Sequence, residues 1–210
     1  KGVLLYGPPG TGKSAISRLL ADIMQYPFEQ ISFGGITNAD YLKGHDFTYV
    51  GAQPGEIVKC LRRMQYKNGI IYFDEYEKAA NNPDVKAALL HITDYSQNDD
   101  YRDSYLSEIP IDLSHLWFIY SMNELPKDSA LKDRIFYIKL PGYNEDEKVQ
   151  ITRDYLLPKA LINAGLPQNS IKFDNIKTIK YLLGLVKGLD IPGVRIIEKN
   201  IANIVIKIVF

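Results

Sequence analysis

The sequence predicts an α/β protein: a parallel sheet flanked by helices, followed by a small all-α domain. Three observations carry that prediction. Short continuous apolar runs alternate with amphipathic stretches through the first part of the chain. A glycine-rich turn joins the first of these runs to the first helix. After Pro141-Gly142 the alternation stops, and only helical periodicity follows. Domains are therefore expected over 1–141 and 142–210.

Residues 2–6 form a short apolar run, the pattern of a parallel strand covered on both faces. Beyond the glycine-rich turn, Ile16, Leu19, Leu20, Ile23 and Met24 recur at helical spacing, and Pro27 ends that helix. Residues 28–33 suit a second strand. Ile57, Leu61 and Met64 lie on one helix face beside Val58. Residues 70–73 read as a fully buried strand closed by two acids, and Val85, Ala88, Leu89 and Ile92 mark a helix after Pro83. Residues 116–120 and 135–140 supply two more strands. In the second domain, 144–157, 175–186 and 193 onward read as helices. The last carries a stripe of Val194, Ile197, Ile201, Ile204, Val205 and Ile208. The segment 98–103, NDDYRD, is the most loop-like polar run.

Bulk properties narrow the function classes. The 210 residues hold 25 Lys+Arg and 25 Asp+Glu, so no whole-chain basic field points toward nucleic acid or an acidic membrane. The lone Cys60 excludes an internal disulfide framework and fits a reducing intracellular compartment, cytoplasm or mitochondrial matrix. It is expected to be a structural thiol on a helix. No apolar run reaches the length of a membrane span, and no signal peptide opens the chain. Both termini fall inside apolar patterns, so a piece of a longer protein is expected.

Gly7-Pro8-Pro9-Gly10-Thr11-Gly12-Lys13-Ser14 has the spacing G-x-x-x-x-G-K-[ST] of a phosphate-binding loop. Glycines let backbone N–H groups curl around phosphates, and the next helix turns its positive N-terminus toward them. Lys13 is expected on the β- and γ-phosphates of ATP, and the Ser14 hydroxyl on Mg2+. Asp74 and Glu75 follow the buried strand 70–73. At a parallel strand's carboxyl end, Asp74 suits a metal-holding acid and Glu75 a general base for the attacking water. Asn123, after strand 116–120, is placed to bond that water or the γ-phosphate. Arg134, before the last strand, reads either as a surface charge or as an arginine finger offered to another subunit. His45, His91 and His115 share no metal-ligand spacing, and no Ser/His/Asp triad can be assembled. Tyr49-Val50, between turn signals at Gly51 and Pro54-Gly55, forms an apolar tip on a loop.

With these parts assembled, the chain resembles an AAA+ ATPase, and within that superfamily the ATPase module of Lon-type proteases. The stretches that carry the resemblance are GGITNADYLKGHDFTYVGAQPGEIVKCL (34–61), DEYEK (74–78), SQNDDYRDSYL (96–106), LKDRIFYIKLPGYNEDEK (131–148), YLLPKAL (155–161) and GVRIIEK (193–199). It implies an ATP-driven unfoldase and translocase acting on unfolded or damaged proteins through a hexameric pore. Asn123 takes the sensor 1 role, Arg134 that of a trans arginine finger, and Arg195 that of a sensor 2 arginine from a helical lid. Tyr49-Val50 falls on the substrate-gripping pore loop. The segment 79–94 departs from the family pattern and leaves a second pore loop undefined. The family's Ser-Lys peptidase is not among these residues, so a chaperone without peptidase stands as an alternative. A nucleic-acid motor ranks lower, because the loop tip is apolar and the net charge is zero.

Overall fold

The computed structural model describes residues 2–36, 38–80, 82–125, 135–168, 170–171, 175–185 and 188–209. The chain divides into two units: Lys1–Tyr6 with Gly12–Lys139, and Gly7–Thr11 with Leu140–Phe210. Among the described residues no helix is long and apolar enough to cross a membrane.

In the first unit, β1 (Gly2–Tyr6), β2 (Phe28–Ser32), β3 (Gly69–Asp74), β4 (Leu116–Met122) and β5 (Ile135–Lys139) form one sheet in the order β2-β3-β4-β1-β5. All four pairings are parallel. The central strands are built from branched and aromatic residues, which fit a pleated surface covered on both sides. Ile70, Ile71, Tyr72 and Phe73 of β3 are all fully buried. One face of the sheet meets α3 (Glu56–Met64), α4 (Tyr76–Ala80) and α5 (Pro83–Thr93) in a core rich in aromatic rings. There the Phe73 ring lies 5.6 Å from Phe33, 5.1 Å from Tyr120 and 5.9 Å from Phe118. The expected start of α5 is seen: Asn82 caps it, accepting from the amides of Asp84 and Val85, with Pro83 in the first turn.

The helix α1 (Lys13–Met24) presents a different face from the one its apolar stripe predicts. Ser17 and Ala21 are buried, whereas Ile16, Leu19 and Ile23 are exposed. Small side chains let the helix backbone approach the sheet, and the larger ones are turned outward. In α3 the inner residues are Ile57, Cys60 and Met64, with Leu61 only partly buried. The expected structural thiol is therefore fully enclosed, and burial pushes Cys60 up to about 12. The polar run 98–103 also differs from expectation. Asn98, Tyr101 and Asp103 are buried, and Tyr101 forms an antiparallel bridge with Ile111.

The second unit is helical in its described residues: α6 (Glu145–Ile151), α7 (Leu157–Asn163), α8 (Ile176–Leu185) and α9 (Arg195–Val209). Asn144 and Glu147 make a reciprocal capping box at the start of α6. The single helix expected over 144–157 is instead α6, a π-turn at Thr152–Leu156, and α7. Pro158 explains the wide turn: it has no N–H to donate, and its ring would crowd the carbonyl four residues earlier. The core of this unit joins Val149, Leu157, Leu161, Leu183, Ile197 and Val205. Ile197, Ile201 and Val205 keep the expected stripe of α9 buried, but Ile208 at its end is exposed.

Candidate active site

Because the strands are parallel, the carboxyl ends of β3 and β4 deliver their last side chains to the same edge, where α1 begins. Gly12 enters α1 at φ 88°, a left-handed conformation that a side chain would strain. Lys13 and Ser14 are thereby the first helical residues, with no acidic side chain in the first turn and no side-chain cap at Gly12.

Two hydrogen-bonded strings meet here. In the first, Ser14 Oγ lies 3.0 Å from the Tyr72 hydroxyl, which lies 3.3 Å from Asp74 Oδ1. Tyr72 stands two residues before Asp74, so the pleat puts both on one face of β3. Burial is the main reason that the Tyr72 phenol is pushed up to about 12, so it is a neutral donor at pH 7. Asp74 also accepts from Ser121 Oγ at 2.6 Å and from Gln30 Nε2 at 3.2 Å. The second string runs from Lys13 Nζ to Asn123 Oδ1 at 3.3 Å, and from Asn123 Nδ2 to Glu77 Oε1 at 2.7 Å. Burial lowers the Lys13 pKa, while Glu77 and then Asp74 work against that shift.

Glu75 sits at the kink between β3 and α4 with φ 56°, a left-handed backbone in a residue other than glycine. Such conformations cost about 1–3 kcal/mol and persist where the surroundings fix them. Here the Glu75 amide donates to Asp74 Oδ1 at 3.1 Å and to Ser121 Oγ at 3.3 Å. Its carboxylate accepts from Lys78 Nζ at 2.6 Å.

The donors around Ser14 and Asp74 are hard oxygens, the type Mg2+ prefers. Asp74 already takes bonds from Ser121, Tyr72 and Gln30, which suits holding an ion through water. No group of three or more His, Cys, Asp or Glu able to hold a metal stands among the described residues. An Mg2+ here needs phosphate oxygens and water to complete its shell, which is how this ion is commonly held.

Gly7–Thr11 belong to the second unit. Gly10, at φ 78°, accepts the Val194 amide on its carbonyl at 3.1 Å, and a Cβ added to it would stand 3.0 Å from the Arg195 amide nitrogen. The Tyr143 hydroxyl donates to the Thr11 carbonyl at 3.0 Å, and Thr11 Oγ1 to that of Pro8 at 2.9 Å. Backbone contact thus brings the start of α9, and with it Arg195, to the glycine-rich loop. Arg134 lies outside the described residues.

Loop 44–55 runs between α2 (Asp40–Lys43) and α3. Its tip is a pair of turns, with Tyr49 N bonded to the Asp46 carbonyl and Ala52 N to that of Tyr49. Tyr49 is 70% exposed and Val50 is fully exposed. Phe47, 64% exposed, shares this tip and was missed by a reading centred on Tyr49-Val50. Its position within the same turn was the available signal. Glu77, Tyr72, Ser121 and Gln30 were missed as well. Tyr72 and Ser121 were within reach of the sequence, since each lies two residues from an expected site residue on its own strand.

Comparison with known proteins shows the family of the chain. Residues 3–138 match the profile of the ATPase family associated with various cellular activities (AAA). The chain is 42% identical over 206 residues to a Pichia angusta protein named Lon protease homolog 2, peroxisomal, covering 96% of this chain and 22% of that one. It is 36% identical over 209 residues to the Lon protease of Borrelia duttonii (98% of this chain, 25% of the relative). With that of Clostridioides difficile the identity is 38% over 209 residues (98% and 26%). The chain therefore spans about a quarter of the length of these curated relatives.

Proposed function

The chain belongs to the AAA family of ATPases and is a nucleotide-binding ATPase module of the Lon type, and on that premise we propose that it uses ATP to unfold and thread polypeptides. One observation carries the reading. A single unit holds a cluster of hydroxyl, carboxylate, amide and ammonium groups suited to phosphate chemistry, and also a solvent-exposed apolar loop tip.

In this account the backbone of Gly7, Pro8, Pro9, Gly10, Thr11 and Gly12 cradles the phosphates, and Lys13 reaches the β- and γ-phosphates. Ser14 and Asp74 hold Mg2+, which offsets phosphate charge. Glu75 orients and polarises the attacking water, and Asn123, bridging Lys13 and Glu77, reports whether the γ-phosphate is present. Arg195 reaches nucleotide from the helical lid, and Arg134 is supplied to the neighbouring subunit of a hexameric ring. Phe47, Tyr49 and Val50 grip unfolded or damaged protein. Apolar bulk suits a motor that handles many sequences, because it demands no one side chain of its substrate. The full-length parent carries a Ser-Lys peptidase and works in a reducing intracellular compartment.

The test is hydrolysis and degradation by the full-length protein. Glu75→Gln is expected to keep ATP affinity and lose turnover, and Arg134→Ala to impair hydrolysis only in the assembled ring. Near-normal hydrolysis by Glu75→Gln contradicts the water-activating role. ATP-dependent unfolding without degradation identifies a chaperone, and steeply salt-dependent DNA binding with DNA-stimulated hydrolysis identifies a nucleic-acid motor.

A further inference from the structure

Asp103 lies in the polar run 98–103, yet it has no exposed surface. Its Oδ2 accepts the Gly55 amide at 2.8 Å, and its Oδ1 accepts the Tyr105 amide at 2.9 Å. Gly55 is the last residue of loop 44–55 and the N-cap of α3. The carboxylate therefore closes the base of the loop whose tip bears Phe47, Tyr49 and Val50.

The surroundings are shaped for this closure. Gly44, at the other end of the loop, has φ 83°, and a Cβ there would stand 2.7 Å from both Asp103 Oδ1 and the Gly55 nitrogen. A Cβ on Gly55 would collide with the Leu42 carbonyl oxygen. His45 N donates to the Gln53 carbonyl at 3.2 Å, tying the two arms of the loop together. Ser104 N donates to the Lys43 carbonyl at 2.7 Å, and the Tyr101 hydroxyl to that of Leu42 at 3.4 Å. Both ends of the loop are thus bonded to one stretch, 101–105.

Burial pushes the Asp103 carboxyl up, while the amides of Gly55, Tyr105 and Leu106, and then the charge of Lys59, pull the other way. Burial is the largest of these effects, so the carboxylate is a poor source of stability in itself. What it provides is geometry, because one rigid group fixes two backbone amides from different segments.

We propose that Asp103 is a positioning residue for the substrate-gripping loop, locking the loop's base to residues 101–105 so that its tip moves with the body of the ATPase. This rests on the reading of loop 44–55 as the part that touches substrate. A tip on an unlocked base would swing when the body moves and would transmit little force to a polypeptide.

The test compares Asp103→Asn with Tyr49→Ala in the full-length protein. The asparagine keeps the shape of the side chain but turns an NH2 group against one of the two amide donors. Basal ATP hydrolysis is expected to stay within about twofold, while amides 45–55 exchange with solvent about tenfold faster or more. Polypeptide unfolded per ATP consumed is expected to fall about fivefold or more. Lost coupling in Tyr49→Ala with intact coupling in Asp103→Asn overturns the positioning role alone. Intact coupling in both overturns the loop reading, and the positioning role with it. Should Asp103→Asn not fold, exchange in the unaltered chain decides. The Gly55 and Tyr105 amides are expected to be as slow as those of β3, with 47–52 fast. A Gly55 amide as fast as that of Thr48 overturns the proposal.

Discussion

The Asp74 end of the sheet and the tip of loop 44–55 treat their side chains in opposite ways. Around Asp74, each polar group is held by others: Ser121, Tyr72 and Gln30 converge on one carboxylate, and Asn123 spans Lys13 and Glu77. At the loop tip, three large apolar side chains face solvent. The first arrangement fixes its atoms, which suits the proposed phosphate chemistry, where a displacement of an ångström is costly. The second leaves apolar bulk in solvent on a pair of turns, while the base of the loop is bonded to residues 101–105.

Substitutions can break this contrast at several sizes. Phe73→Ala, beneath the Asp74 end, is expected to cost about 3–5 kcal/mol in denaturant unfolding, since the ring contacts Phe33, Phe118 and Tyr120. A loss under about 1 kcal/mol would show that the aromatic core does not support the site. Glu75→Gln is next, with ATP turnover in steady-state assays expected to fall about 10²-fold or more. Ser121→Ala removes the 2.6 Å bond to Asp74 and is expected to lower turnover about tenfold, with ATP binding by titration nearly unchanged. Unchanged turnover would mean that the string around Asp74 is redundant. Smallest is the effect of Tyr49→Ala on stability, expected within about 0.5 kcal/mol because the side chain is mostly exposed. A larger loss would show that the tip is part of the fold.

The sequence made the frame legible where burial is symmetric. The strands β1 and β3 are continuous apolar runs that admit one reading, and the phosphate-loop spacing constrains its own geometry. Legibility failed where packing, rather than hydrophobicity, decides the face. Ser17 and Ala21 are buried in α1 because close approach to the sheet favours small residues, and no periodicity of large side chains reveals that. It failed again at Asp103 and Glu77. Asp103 lies in a loop-like polar run, Glu77 follows two acids that already carry the site reading, and their partners are 48 and 46 positions away. Arg195 shows a third limit. As one charge at the start of a helix it carries no signal, and its place beside Gly10 comes from a contact between segments nearly the whole chain apart.

The proposed division of labour puts ATP chemistry and substrate contact in separate parts of the first unit. Its most direct test is the number of ATP molecules consumed per polypeptide unfolded by the full-length protein, with and without Tyr49→Ala. The account predicts ATPase rates within about twofold of each other and a rise of about tenfold or more in ATP consumed per unfolding event for Tyr49→Ala. An unchanged ratio, or a parallel loss of hydrolysis and unfolding, would contradict it.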